Sequence, residues 1–436
     1  MPTVYDLVYL TASLPLLALL GYRYAFRRKY HESLKGMLGR RMPRPVAPAS
    51  DGKRPLVFWV HSVSVGEVVA AQGVIREIRA TWPDSRIYAS TITETGQAHA
   101  RRILSPLVDE IFYYPLDLSW IVRRFLDHIQ PDVYIMMETE LWPNLLMQCR
   151  RMGVRVLMMN GKLSERSYRM YRQFRFFFAP VLSGIDAFCM QTRLDAARMK
   201  ELSRQEDRIF VTGNCKFDAV PNPLDPQARA ALAARWGLDL NHPIVVVGST
   251  HPGEDEIVAQ AAVALKGEFP DLTWLVAPRH VERADAVCRI FTDAGLSVSR
   301  ASQPTTKRPN VLLLDVMGEL ASAYSLATVA VVCGSFVPIG GHNLLEPAVY
   351  GVPVLYGPHM HKQPELLRFF RESGGGVQLE GRELGPTIWR LLKDADERQR
   401  LGKRAAETIE LNRGSAQRHL HVLQKVVGSV EGKRQK

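Results

Sequence analysis

Cysteine is scarce and scattered. The chain has five, Cys149, Cys189, Cys215, Cys288 and Cys333. None forms a CxxC pair, which excludes a zinc-ribbon site and a secreted disulfide framework. Isolated thiols of this kind fit a reducing compartment, each as a small buried hydrophobe. No GxGxxG follows a strand-like run, which argues against a nicotinamide or flavin enzyme. The string nearest to a P-loop, Gly428 to Lys433, has the wrong spacing, and HExxH and GxSxG are absent. No Asp/His cluster is spaced like a metal site, so no metal and no resident cofactor is expected. Beyond residue 26 no apolar run approaches the length needed to cross a bilayer.

What is present is a long chain of ordinary globular composition. Its 436 residues suggest two to three domains, and 46% hydrophobic residues suffice for substantial cores. The net charge of +12 is unevenly spread: residues 1–44 hold eight basic residues against Asp6 and Glu32, a local charge of +6. Such a stretch suits nucleic acid or an anionic membrane surface, and the residues upstream decide for the membrane. Leu7 to Tyr22 is nearly all apolar and, extended to Val4 and Phe26, is long enough to span at about 1.5 Å per residue. Pro15 keeps an interfacial helix in view. The basic cluster follows the apolar run, so a cleaved signal peptide is not expected, and the bulk of the chain should face the cytoplasm.

From residue 55 short apolar runs alternate with helical patterns. Strands are expected at Leu56–Val60, Arg86–Ser90, Val133–Met137, Arg155–Met159, Ala187–Met190 and Ile209–Val211, with helices such as Val68–Ala80 and Trp120–His128 between them. Asn214–Gln227 carries Pro221, Pro223 and Pro226 and reads as a linker. The rhythm then restarts at Pro243–Val247, Leu272–Val276, Val311–Leu314, Val329–Cys333 and Val352–Tyr356. The expected fold class is α/β: two facing Rossmann-like domains behind an N-terminal membrane-anchor helix. The expected boundaries are 1–44 for the anchor and basic segment, 45–213 for the first domain, 214–227 for the linker and 228–436 for the second domain with a C-terminal helix. Ligands in such sheets bind at the carboxyl ends of the strands.

Six segments stand at those ends. HSVSVGEVVAA, His61–Ala71, brings His61, Ser64 and Glu67 together in a small-residue turn. Glu67 in a first helical turn is either a general base or a complement to the helix dipole, and its neighbours favour the base. METELWPN, Met137–Asn144, offers Glu138, Glu140 and the flat face of Trp142, or else a helix start with Pro143 near its first turn. In an extended chain the two glutamates would face opposite ways. NGKLSERS, Asn160–Ser167, offers Lys162 and Arg166 for an acidic group. Beyond it Arg169, Arg172 and Arg175 recur every three residues among Tyr168, Tyr171, Phe174 and Phe176, a mixture suited to a lipid headgroup surface or to a solvated helix face. GSTHPGEDE, Gly248–Glu256, is followed by APRH, where Arg279 can grip a phosphate. The longest segment, Gly334–Pro358, holds Gly340 and Gly341 in a tight turn, then Asn343 as N-cap of a helix near Leu344–Tyr350, with Glu346 in its first turn beside a phosphate-binding N-terminus.

In this order the motifs resemble the Kdo transferases of lipopolysaccharide biosynthesis, which share the two-domain GT-B architecture. The resemblance rests on the N-terminal anchor, HSVSVGE, ETELWPN, NGKLSERS, STHPGEDE, PRH and GGHNLLEP, and covers nearly the whole chain. It implies an inverting transfer of 3-deoxy-D-manno-octulosonic acid (Kdo) from CMP-Kdo to lipid IVA, with Glu67 as the base. It further implies His61, Ser64, Glu138, Glu140 and Lys162 on the acceptor side, and Arg279, His280, Gly340, Gly341, Asn343 and Glu346 around CMP. Lys162 departs from the arginine usual at its position, and a lysine cannot make a bidentate phosphate contact. The residues themselves agree with the resemblance: they lead to the expectation of metal-independent catalysis, of closure over the donor with the proline linker as hinge, and of an anionic inner-membrane surface as partner, with a cytoplasmic-face location and no nucleic acid. Three other readings stay open on the residues: a related transferase using a UDP-sugar and a lipid acceptor, a sugar-nucleotide epimerase, and a membrane-tethered nucleotide-binding protein without activity.

Overall fold

The computed structural model describes residues 3–7, 9, 11, 31–45, 54–220, 222–303 and 308–434. The chain divides into two compact units, 1–219 with 413–436, and 220–412.

The first unit is built on seven strands: β1 (Val57–His61), β2 (Arg86–Thr91), β3 (Glu110–Tyr113), β4 (Val133–Met137), β5 (Arg155–Gly161), β6 (Ala187–Met190) and β7 (Ile209–Val211). All pair in parallel in the order β3-β2-β1-β4-β5-β6-β7. The central strands β1 and β4 are buried along their whole length. A parallel strand covered on both faces must be apolar throughout, and VFWVH and VYIMM nearly are. One face packs Trp59, Phe125, Tyr134 and Met158, the other Phe58, Val60, Ile75 and Ile135.

The second unit repeats the plan with β8 (Ile244–Thr250), β9 (Thr273–Pro278), β10 (Val298–Arg300), β11 (Val311–Leu313), β12 (Val329–Val332), β13 (Val354–Tyr356) and β14 (Gly376–Gln378). Their order is β10-β11-β9-β8-β12-β13-β14, again all parallel. The α/β class and the two sheets are as expected. The three strands without an expectation, β3, β10 and β14, all lie at sheet edges and are only partly buried. An edge strand needs no continuous apolar run, so it leaves little pattern to read.

Two boundaries differ from expectation. The first half of the supposed linker is core: Asn214, Cys215 and Phe217 are fully buried in the first unit, and the division falls after Ala219. The C-terminal helix, Ser415–Arg434, belongs to the first unit and not to the second. Val422, Leu423 and Val427 pack against the Val65–Thr81 helix and its core. Each such side chain contributes about 1.5–3 kcal/mol of burial. Asp218 receives the Gly414 and Ala416 N–H groups at 2.6 Å each and so fixes the start of the helix. Proline content marked the right neighbourhood but could not show which residues were buried.

The expected anchor, Leu7–Tyr22, lies almost wholly outside the described residues. Among the described residues no helix is long and apolar enough to cross a membrane. What is described before it docks on the first unit. Asp6 accepts from the Ser119 N–H at 2.8 Å and from Asn144 Nδ2 at 3.1 Å. Tyr5 donates to the Phe177 carbonyl at 3.0 Å and meets its ring edge-on.

Candidate active site

In the first sheet the strand order reverses between β1 and β4, the place where ligands of doubly wound sheets bind. Glu67 stands just beyond β1, in the first turn of the Val65–Thr81 helix, and is 6% exposed. Its Oε2 accepts the Val63 N–H at 2.7 Å and its Oε1 the Ser64 hydroxyl at 2.9 Å. Burial and the neighbouring Glu138 raise its pKa against these two bonds and the pull of Lys162.

Glu138 follows β4 with φ +59°, a left-handed backbone that a non-glycine residue adopts at a cost of about 1–3 kcal/mol. That turn breaks the extended geometry in which Glu138 and Glu140 would diverge. Both carboxylates instead lie near enough to Glu67 to act on it or be acted on by it. Burial, Glu67 and Glu138 together push Glu140 up to about 7. The cluster is held by two cations: Lys162 Nζ meets Glu138 Oε2 at 2.7 Å, and Lys216 Nζ lies 4.0 Å from Oε1. Thr139 and Lys162 bond each other's loops through Thr139 Oγ1.

Lys162 and Lys216 owe their places to a buried polar network. Asn160, at φ +55°, accepts the Cys215 N–H on its side chain at 3.0 Å. Its own N–H donates to His419 Nε2 at 2.9 Å, and His419 Nδ1 bonds the Ser415 carbonyl at 2.7 Å. Burial holds His419 down to about 4, so it is neutral and this tautomer is the one the bonds require. The C-terminal helix thereby fixes the backbone on which both lysines are mounted.

In the second sheet the order reverses between β8 and β12. Arg279 and His280 follow β9 and are exposed. Gly340 and Gly341 have φ of +113° and +79°. A Cβ on Gly341 would strike the Met360 side chain, so the turn admits no larger residue. Asn343 Oδ1 accepts the Leu345 N–H at 3.1 Å, and its Nδ2 bonds Glu346 Oε1 at 3.2 Å. The helix there is a single turn, Leu345–Ala348, and not the longer one expected. The left-handed turn at Gly351, φ +66°, stops it. Glu254 is fully buried and occupies the N–H groups of His251, Gly334, Ser335 and Phe336 at 2.7–3.1 Å. Those donors are therefore taken, and the positive charge of this loop comes from side chains: Arg279, Arg283 and Lys362 all act on the His251 imidazole.

The chain is similar to known proteins over most of its length. Residues 34–219 match the family model described as 3-deoxy-D-manno-octulosonic-acid transferase (kdotransferase). A 3-deoxy-D-manno-octulosonic acid transferase from Haemophilus influenzae is 34% identical over 85% of this chain and 87% of its own length. Another from Chlamydia muridarum is 31% identical over 95% of each chain. The chain belongs to the Kdo transferase family. Its fold is also that of UDP-GlcNAc 2-epimerase from Neisseria meningitidis, at TM-score 0.57 and 13% identity over 85% of this chain and 99% of that one.

Within this Kdo transferase the structure groups Glu67, Ser64, Glu138, Glu140 and Lys162 at one switch point. It places Arg279, His280, Gly340, Gly341, Asn343 and Glu346 around the other. His61 is the exception. Its ring is fully buried, bonded through Nδ1 to Ser90 Oγ at 3.0 Å and stacked on Tyr114 at 3.9 Å. Burial pushes it down to about 3, so it is a neutral core residue and not part of the acceptor surface. Sequence reasoning missed Lys216, Glu254 and His419. Lys216 sat in the supposed linker and His419 in the supposed second domain. Glu254 was visible in STHPGED, three residues after His251 at a helix start, but nothing showed which N–H groups it would take.

Proposed function

We propose that this transferase moves Kdo from CMP-Kdo onto lipid IVA, the tetraacylated precursor of lipid A, inverting the anomeric carbon, as a step of lipopolysaccharide core assembly. The observation that carries the reading is Glu67: a buried carboxylate with a raised pKa, at a switch point, oriented by Val63 and Ser64. In that setting Glu67 is a stronger base than an exposed carboxylate. It takes the proton of the acceptor hydroxyl as that oxygen attacks the anomeric carbon. The electron pair of the breaking bond leaves with the CMP phosphate on the opposite face, and one displacement inverts the centre.

Glu138, pinned by Lys162 and Lys216, and Glu140 present acceptors to sugar hydroxyls, while the lysines supply charge for a lipid phosphate. In the second unit Arg279 binds the CMP phosphate, Gly340 and Gly341 let it approach the backbone, and Asn343 and Glu346 bind the nucleoside. The departing phosphate is stabilised by side-chain cations, and the reaction proceeds without metal. Work on a lipid in the inner leaflet, at the cytoplasmic face, accounts for the +6 charge and apolar run of the N-terminal 44 residues. It also accounts for Phe174 and Phe176, 46% and 79% exposed beside Arg172 and Arg175.

The test is to incubate the protein with fresh CMP-Kdo and lipid IVA in detergent with EDTA and to weigh the lipid. A gain of one or more Kdo masses is expected. Unmodified lipid from folded protein, with magnesium restored to no effect, would overturn the reading and turn attention to UDP-sugar donors.

A further inference from the structure

The loops after β8 and β12 carry two histidines whose contact the donor reading does not use. His251 and His342 place their Nε2 atoms 2.9 Å apart, with ring planes 5° from parallel and centroids 5.2 Å apart. That centroid distance is the N···N distance lengthened by one ring radius at each end. The two nitrogens therefore point straight at each other, edge to edge, in one in-line hydrogen bond. One Nε2 must carry the hydrogen and the other accept it, so the neutral pair uses two different tautomers. The arrangement is built into the backbone. Gly334, at φ +69°, underlies the pair, and a Cβ there would lie 2.7 Å from His342 Cδ2 and 2.9 Å from its Nε2.

We propose that His251 and His342 form a proton-taking phosphate clamp: binding of an anionic phosphate draws one proton from solvent into the pair, which becomes an imidazolium–imidazole facing the anion. The proposal rests on the donor-site reading above. The groups around the pair explain why the proton is absent beforehand. Arg279 and His280 from the end of β9, Arg283 from the turn that follows and Lys362 from the loop after β13 all repel a proton on His251, and all but Arg283 also repel one on His342. Glu254, a carboxylate of the same loop, is spent on four backbone N–H groups. Glu346 is oriented by Asn343 and feels Arg279. Burial first, then the His251 ring, and then Arg279 and Lys362 hold His342 down to about 4, and burial with the same neighbouring groups lowers His251. A phosphate dianion adds an attraction for the proton that offsets the repulsion from these cations.

The proton count closes. The acceptor's proton goes to Glu67, and the electron pair of the breaking bond goes to the phosphate; the proton drawn from solvent sits on the Nδ1 of the ring that donates through Nε2, and its positive charge offsets the negative charge of the phosphate. It returns to solvent when CMP leaves. A clamp of this kind binds its anion more tightly as the pH falls, until the phosphate itself is protonated near a pKa of about 6.

The experiment is a calorimetric titration of the full chain with CMP at pH 7, in two buffers of different ionisation enthalpy, to read protons taken up per CMP. Wild type should take up roughly half a proton. His251→Asn and His342→Asn should each lose that uptake, and His421→Asn, at an exposed histidine of the C-terminal helix, should keep it. Cytidine, which lacks the phosphate, should give none. Wild-type binding of CMP without uptake would overturn the clamp by itself, whether or not the variants fold, and leave the donor reading standing. Uptake retained in both pair variants would overturn it equally. Binding of UMP with uptake, in place of CMP, would overturn the donor reading and keep the clamp. No nucleotide binding at all would overturn both.

Discussion

The two sheets place their functional loops at the same topological point and give them opposite chemistry. Beyond β1 and β4 of the first sheet, three carboxylates crowd together, and burial and their neighbours raise the proton affinity of Glu67 and Glu140. Beyond β8 and β12 of the second, two imidazoles lie among cations and lose theirs. One loop cluster is rich in buried carboxylates, the other in imidazoles and cations. A doubly wound sheet supplies only the position. The side chains at its strand ends decide which partner of a transfer reaction each unit takes.

The contrast breaks most visibly at Glu67. Glu67→Gln should lower transfer by about 10²–10⁴-fold while CMP binding by the other unit is unchanged. Equal losses in both would mean that the sites do not have separate roles. Assignment of the C-terminal helix to the carboxylate unit is tested by Leu423→Ala, which should cost about 2–5 kcal/mol in that unit's unfolding, read by denaturant titration. The second unit's transition should not move. Arg279→Ala should weaken CMP binding by about 10–100-fold, the worth of a charged hydrogen bond of roughly 1.5–3 kcal/mol, read by calorimetry.

The smallest effect sharpens the electrostatic side of the comparison. Lys162 lowers the pKa of both Glu67 and Glu140. Lys162→Met should raise both, so the base is deprotonated only at higher pH and the acidic limb of kcat/KM moves up. A loss of about tenfold or less is expected below neutrality, shrinking toward pH 8. Lys162→Arg should keep the limb in place because it keeps the charge. An unmoved limb in Lys162→Met would separate the lysine from the base.

Much of this was legible in the chain. The fully buried strands announced themselves because a parallel strand covered on both faces must be apolar, and the site loops followed because they begin where those strands end. Glu67, Glu138 and Lys162 were found that way. The edge strands β3, β10 and β14 were not, since half-exposed segments of three or four residues carry no distinct period; the equally short edge strand β7 was found only because its three residues, Ile209–Val211, are all apolar. His61 was misplaced because a histidine at a strand end reads alike whether its ring turns to solvent or to Tyr114. Lys216 was passed over because the prolines after it suggested a linker, while Cys215 and Phe217 beside it are core.

The sequence by itself determined the two α/β halves, the strand-end loops and the family, because apolar periodicity and motif order are local properties of a chain. Tertiary structure alone decided the rest. It brought Glu138 and Glu140 to one side through a left-handed turn, carried His419 back to the Asn160 loop across some 250 residues of chain, and set His251 and His342 nitrogen to nitrogen. Each of these joins residues that are far apart in sequence or in a rare backbone state. Their cost is met by packing elsewhere in the fold, which no local pattern records.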